Sequence, residues 1–269
     1  MPVGSPGRLG RWVWPLVVLM TVGSAYYQKV TGPSYPIRVR DDWQGRTIQA
    51  FLERSHGGGG DQRVEVQGIG DNVRGELFWR RYPSREPFSR QEMVLEGDRL
   101  TGALPHQPPA GKLEYRIALH AENGTLSLPH AGTAITRFKG HVPLPVLIPH
   151  IIFMFIAMLL SNRAGIGATI VDGKAPTYTK WVLGLLVAGG LILGPIVQKL
   201  AFGAFWTGVP FGWDLTDNKT LIAVLGWLAA LWAQRRNAGA RTVTIAAALI
   251  TLVIFLIPHS LFGSELKVE

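Results

Sequence analysis

Four apolar stretches crowd the last 128 residues of this 269-residue chain, at about 143–161, 180–202, 219–234 and 241–258. Backbone N–H and C=O groups in hydrocarbon must be satisfied inside the segment itself, so each stretch is expected to be a membrane-spanning helix. A fifth apolar stretch, residues 12–27, stands near the N-terminus behind Arg8 and Arg11. It has two readings. One is a signal anchor over residues 1–28, with Trp12 and Trp14 at one interface and Tyr26 and Tyr27 at the other. The other is a cleaved signal peptide, with Gly23-Ser24-Ala25 supplying the small residues.

Charge is distributed against this background. Of the 27 Lys and Arg residues, 16 lie between positions 29 and 139, and 13 of the 18 Asp and Glu residues lie between 41 and 122. A polar block is thus set between apolar segments. Gly32-Pro33-Ser34-Tyr35-Pro36 breaks the chain before it. Within the block the pattern has the period of a β-strand. Residues 48–52, 64–66, 75–80, 92–95, 113–119 and 126–128 read as strands, and Glu122-Asn123-Gly124 as a hairpin turn. Several short strands over about 100 residues favour an all-β sandwich spanning 29–141.

Orientation follows from positive charge. Arg163, Lys174 and Lys180 flank the second and third spans, and Arg235, Arg236 and Arg241 fill the loop between the fourth and fifth. These loops are expected on the cytoplasmic side. That places the β domain and the 203–218 loop in the periplasm. Composition excludes other classes. The chain has no cysteine, so disulfides, thiolate-held Fe–S clusters, covalent c-type haem and thiol nucleophiles are out. The net charge of +9 is spread over many elements rather than gathered on one, which argues against a nucleic-acid partner. Gly57–Gly60 has no Lys-Ser/Thr behind it and is no phosphate loop. No His-Glu-x-x-His spacing marks a metal hydrolase.

Two features could carry chemistry. The 203–218 loop is aromatic yet rich in Gly and Pro. It delivers Asp214, Asp217, Asn218 and Lys219 to a helix start, beside Trp206 and Trp213. Thr216 or Asp217 is the expected helix cap, since free N–H groups and the helix dipole both favour an acceptor there. A binding or ion-coordinating site is the rival reading, with Glu265 joining it from the tail. The second feature is an echo: Leu147-Ile148-Pro149-His150 recurs as Leu256-Ile257-Pro258-His259. Two imidazoles on separate helices could ligate haem b or a divalent metal. Otherwise they hydrogen-bond to carbonyls freed by the prolines.

The phrase Leu104-Pro105-His106-Gln107-Pro108-Pro109, followed by Lys112-Leu113-Glu114-Tyr115, resembles a stretch of bacterial immunoglobulin- or fibronectin-like domains, which implies a sandwich for 37–139. The loop Trp206-Thr207-Gly208-Val209-Pro210-Phe211-Gly212-Trp213-Asp214-Leu215-Thr216-Asp217-Asn218-Lys219 and the tail Ile257-Pro258-His259-Ser260 with Gly263-Ser264-Glu265 resemble those of a group of uncharacterised bacterial polytopic membrane proteins. That resemblance covers about the last 70 residues and implies no activity.

The expected architecture is therefore mixed: a polytopic α-helical protein of about five spans with an inserted periplasmic all-β sandwich, the helical part being a four-helix domain over 142–269. The expected location is the bacterial inner membrane. The expected role is a binding, accessory or scaffold subunit of a membrane complex, with the bilayer and other membrane or periplasmic proteins as partners. The rivals are a redox subunit carrying haem b or a metal at His150 or His259, and a small transporter using Asp214, Asp217 and His150.

Overall fold

A computed structural model of the chain describes residues 6–258. These divide into two compact units. One takes residues 6–32, 142–200 and 204–258, and the other takes 33–141 with 201–203.

The second unit is built from eleven strands in two sheets. β1 (Ile37–Trp43), β2 (Arg46–Leu52), β4 (Gln62–Gln67), β8 (Arg99–Leu104) and β7 (Val94–Glu96) form the first sheet, in the order β1-β2-β4-β8-β7. The second has the order β3-β11-β9-β5-β6, with β3 Ser55–Gly57, β11 Ala134–Lys139, β9 Lys112–Ala121, β5 Arg74–Arg81 and β6 Ser89–Glu92. β10 (Gly124–Leu128) pairs with the outer half of β9. Alternation decides which faces are buried. Ile48, Ala50 and Leu52 of β2 and Val64 and Val66 of β4 point inward, as do Leu113, Tyr115, Ile117 and Leu119 of β9. They share one core with Leu77 and Phe138, so the two sheets face each other across it. The Glu122-Asn123 turn joins β9 to β10, pairing Ala121 with Gly124. The segment 92–95 is not one strand. Met93 turns into the core and separates β6 from β7, which belong to different sheets.

The first unit is helical. α1 is Pro6–Thr31 and α2 is Leu144–Ile170. α3 runs over Ala175–Phe202, with a π-helical segment at Leu186–Leu193 between α-helical ends. α4 is Leu215–Arg236 and α5 is Ala240–Leu256. The five-span expectation is corrected here. Among the described residues two helices are long and apolar enough to cross a membrane, α2 with a mean hydropathy of 2.3 and α3 with 1.9. α1 is diluted by tryptophan and tyrosine and by Gln28 and Lys29 at its end. α4 carries Asp217 and Lys219 in its first turns and Arg235 and Arg236 in its last. α5 has 17 residues, about 25 Å at 1.5 Å per residue, short of a hydrocarbon core of about 30 Å. The chain is a two-span candidate with an eleven-stranded β unit, not a five-span helical protein.

Glycines in the π-helical segment bring neighbours close. A Cβ on Gly190 would lie 2.5 Å from Thr220 Cγ2, and one on Gly189 would lie 2.8 Å from Phe153 Cβ. These residues serve contact between the protein's own helices, whereas nothing lies near Gly184. Arg163 also departs from expectation. α2 continues to Ile170, so Arg163 is no loop residue. It is fully buried, ion-paired with Asp172, and set under the rings of Tyr178 and Trp14 at 5.1 and 5.7 Å. A buried, paired cation says nothing about which side of the membrane its segment faces.

Candidate functional site

The site is the junction between the 203–214 loop and the first turn of α4. Asp214 begins it. Its Oδ1 accepts from the Thr216 N–H at 2.8 Å and the Asp217 N–H at 3.4 Å, and its backbone is extended, with φ −56° and ψ 122°. Asp214 is therefore the cap, in place of Thr216 or Asp217. With that task taken, Asp217 is free to face backward. Its Oδ2 accepts from the Thr207 N–H at 2.6 Å, the Gly208 N–H at 3.0 Å, Gln198 Nε2 at 3.1 Å and Thr207 Oγ1 at 3.2 Å. One carboxylate oxygen thus ties the loop backbone to α4 and to the last turns of α3.

Asn218 extends the tie by accepting from the Val209 N–H at 2.8 Å, and Trp206 Nε1 donates to the Val209 carbonyl at 3.1 Å. The Asp214 N–H closes the loop on the Thr207 carbonyl at 3.0 Å. Gly208 is required by space. A Cβ there would lie 2.7 Å from both Asn218 Oδ1 and Asp217 Cβ. The sequence Thr-Gly-Val-Pro-Phe-Gly-Trp-Asp-Leu-Thr-Asp-Asn therefore encodes a frame: acceptors on α4, donors in the loop, and a glycine where the two backbones meet.

Electrostatics follow from burial. Asp217 and Lys219 are 5% and 2% exposed. Burial pushes the Asp217 carboxyl up, hydrogen bonds from Thr207 and Gln198 pull it part of the way back, and the Asp214 charge pushes it up again. Burial draws the Lys219 ammonium down to about 8, opposed by Asp214. Lys219 Nζ donates to the Ile257 carbonyl and, at 3.1 Å, to the Pro258 carbonyl. Gln28 Nε2 reaches Phe255 and Ile257 carbonyls at 2.8 and 3.1 Å. Three carbonyls at and just beyond the end of α5, those of Phe255, Ile257 and Pro258, are met by these two side chains.

The frame turns apolar groups outward. Phe205, Phe211 and Trp213 are 58%, 82% and 84% exposed. The Lys199 ammonium lies 5.5 Å from the Phe205 ring. Thus Trp206, Asp214, Asp217 and Asn218 come together, Lys219 leaves the next turn for the end of α5, and Trp213 stands away from the network.

His150 lies on α2, half-buried, with Nδ1 2.8 Å from the Gly189 carbonyl in the π-helical segment. A carbonyl can only accept, so Nδ1 is the donor in this bond. The partner is not a carbonyl freed by a proline: it lies on a neighbouring helix and also accepts the Gly194 N–H. Among the described residues no hydrogen bond joins His150 to the Asp217 network, and no three His, Asp or Glu groups could hold a metal ion together. His259 and Glu265 lie outside the described residues. Sequence reasoning missed Gln198 and Thr207 as partners of Asp217. A signal was present: two acids stand three residues apart at one helix start, where a single side-chain acceptor suffices as the cap.

No family model matches the chain, and no curated protein matches it.

Proposed function

We propose that the protein is a membrane-anchored binding or accessory subunit of the bacterial inner membrane, which carries its β unit in the periplasm. The 203–214 loop is its interfacial anchor. The observation that carries this reading is the use of a buried carboxylate, Asp217, to hold a loop whose side chains Phe205, Phe211 and Trp213 face outward. Buried polar groups at a reaction centre would turn toward a substrate, whereas these turn to the chain's own N–H groups. Exposed rings on a fixed frame need an apolar or interfacial cover.

The cover is the lipid headgroup region. The loop directly follows α3, one of the two helices apolar enough to cross, so it begins where a span would end. Aromatic rings concentrate at that depth, and a lysine in the last turn can reach the headgroups. Two spans return the chain to its starting side, so the segments before α2 and after α3 emerge together. Lys174 and Lys180, around the connection from α2 to α3, favour the cytoplasm for that end.

The test uses the natural absence of cysteine. Phe211→Cys, carrying an environment-sensitive fluorophore, is placed in nanodiscs with lipids brominated near the headgroup or near the chain end. Strong quenching by the shallow lipid alone supports the anchor. A probe quenched only by aqueous iodide refutes it.

A further inference from the structure

The β unit holds a cleft unrelated to the aromatic loop. Three connections meet at one end of the two sheets: the β1–β2 turn, the segment between β4 and β5, and the β9–β10 turn. Together they line a cavity of about 360 Å³. Its polar rim is Arg46, Asp71, Asn72, Glu122 and Asn123, and Trp43 forms part of its wall.

The floor is rigid. Ile48 and Ile69 are each 1% exposed and belong to the core, against which Trp43 packs. Gly68 has φ +83°, and a Cβ on it would lie 2.2 Å from the Thr47 carbonyl oxygen. The chain from β4 is therefore pressed onto β2, which fixes the position of the 69–72 segment. Asp98 takes the Ile69 N–H through its carbonyl at 2.9 Å, and Val73 donates to Gly70 at 3.2 Å. The rim, by contrast, is unspent. Asp71, Asn72, Glu122 and Asn123 make no side-chain hydrogen bond or ion pair among the described residues, and Arg46 makes one long hydrogen bond, 3.4 Å to the Ile69 carbonyl.

The chemistry of the lining selects a ligand class. The cavity falls at the small end of ligand pockets, which run from roughly 300 to 1,000 Å³. Its rim is polar over an apolar floor, so a wholly apolar ligand would leave the rim groups without partners. Two carboxylates against one guanidinium disfavour a phosphate or other polyanion. The two carboxylates stand on separate connections with no third acid beside them, which is poor provision for a metal ion. What remains is a small neutral or weakly cationic molecule with many hydroxyls. Carboxylates accept from hydroxyls, Arg46 and the two amides donate, and an indole face takes the C–H face of a ring. We infer that this cleft, walled by Trp43 and rimmed by Arg46, Asp71 and Glu122, is a saccharide-binding site for one or two sugar rings. It stands apart from the interfacial-anchor reading, since no residue is shared.

The experiment uses the full chain with 5-fluorotryptophan, in nanodiscs free of sugar-based detergent. Trp43→Phe assigns the Trp43 fluorine resonance. Maltotriose, tri-N-acetylchitotriose and chitosan trimer are each titrated to about 10 mM, which covers the millimolar Kd of weak ligands. The expected result is a saturable shift of the Trp43 resonance with at least one trimer, while the Trp206 and Trp213 resonances stay fixed. Asp71→Asn and Glu122→Gln, both exposed and near-isosteric, should each weaken that binding about tenfold, as loss of a charged hydrogen-bond partner does. No shift with any trimer overturns the proposal. So does a shift produced by calcium chloride alone, and so does binding unchanged in both carboxylate variants. An unchanged wild-type fluorine spectrum outside the affected site confirms that a variant has folded.

Discussion

Replacing Asp217 separates charge from shape at the loop. Asp217→Asn keeps an oxygen where Oδ2 sits, so the Thr207 and Gly208 N–H groups and the Gln198 amide keep their acceptor. The charge is lost, but burial already disfavours it, since the carboxyl is pushed up. The expected cost is under about 1 kcal/mol, the worth of a neutral hydrogen bond. Asp217→Ala leaves two backbone N–H groups and one amide without a partner in a site where residue 217 is 5% exposed. Each unmet buried donor costs about 1–3 kcal/mol, and water will reach part of the gap, so about 3 kcal/mol in total is expected. At roughly 2–4 °C per kcal/mol for a chain of this size, Ala should lower the melting temperature by about 6–12 °C and Asn by less than about 4 °C. The assay is thermal unfolding in nanodiscs, followed by circular dichroism at the helix band. The pH dependence has a definite sign. A carboxyl raised in the folded state favours folding when protonated, and that advantage is lost as pH rises through the folded value. Wild type should therefore gain on Asp217→Asn as pH falls from neutral toward the ordinary carboxylate range. Equal melting temperatures for Ala and Asn would show that the carboxylate does not hold the loop, and the frame described above would fail with it.

Arg163→Met should cost about 3–5 kcal/mol, because it leaves Asp172 buried without its partner, and adding Asp172→Asn should recover part of that loss in the same melting assay; a silent Arg163→Met refutes the buried pair. Sidedness is read by single cysteines. Ser127→Cys should react with an impermeant maleimide on intact spheroplasts and Lys174→Cys, in the connection from α2 to α3, should not, and the reverse pattern overturns the orientation.

Sequence was a good guide where one periodicity ran unopposed. β2, β4, β5 and β9 lie on the alternating stretches because each buries one face in the core. β8 and β11 passed unread. Gly102 interrupts the side-chain pattern of β8, and β11 is identified less by its own residues than by its long-range partners β9 and β3. The helices were found near their positions, but their lengths were not. Apolarity near Arg163 stops at residue 161, while the helix continues to Ile170 because Asp172, Trp14 and Tyr178 make the arginine buriable. At the loop, the chemistry-bearing residues were legible as a group: aromatic side chains beside Gly and Pro, then two acids at a helix start. Which acid caps and which reaches back depends on the approach of Gly208 to Asn218, and that is tertiary geometry.

The strand that leads into α2 is an inner strand. β11 lies between β9, with which it is antiparallel, and β3, with which it is parallel through Arg137↔Ser55 to Lys139↔Gly57. Four residues separate Lys139 from Leu144. A pull applied at Lys139 along the strand is met by partners on both sides. Such a load acts in shear on both ladders at once, and their hydrogen bonds must yield together. β1, which follows α1, is an edge strand held by β2 alone. A pull at Ile37 reaches the open end of that hairpin, where Ile37 faces Leu52, and can unzip it pair by pair. The two ends of the β unit thus differ as mechanical attachments: the one at β11 is stiff, and the one at β1 would be the first to peel.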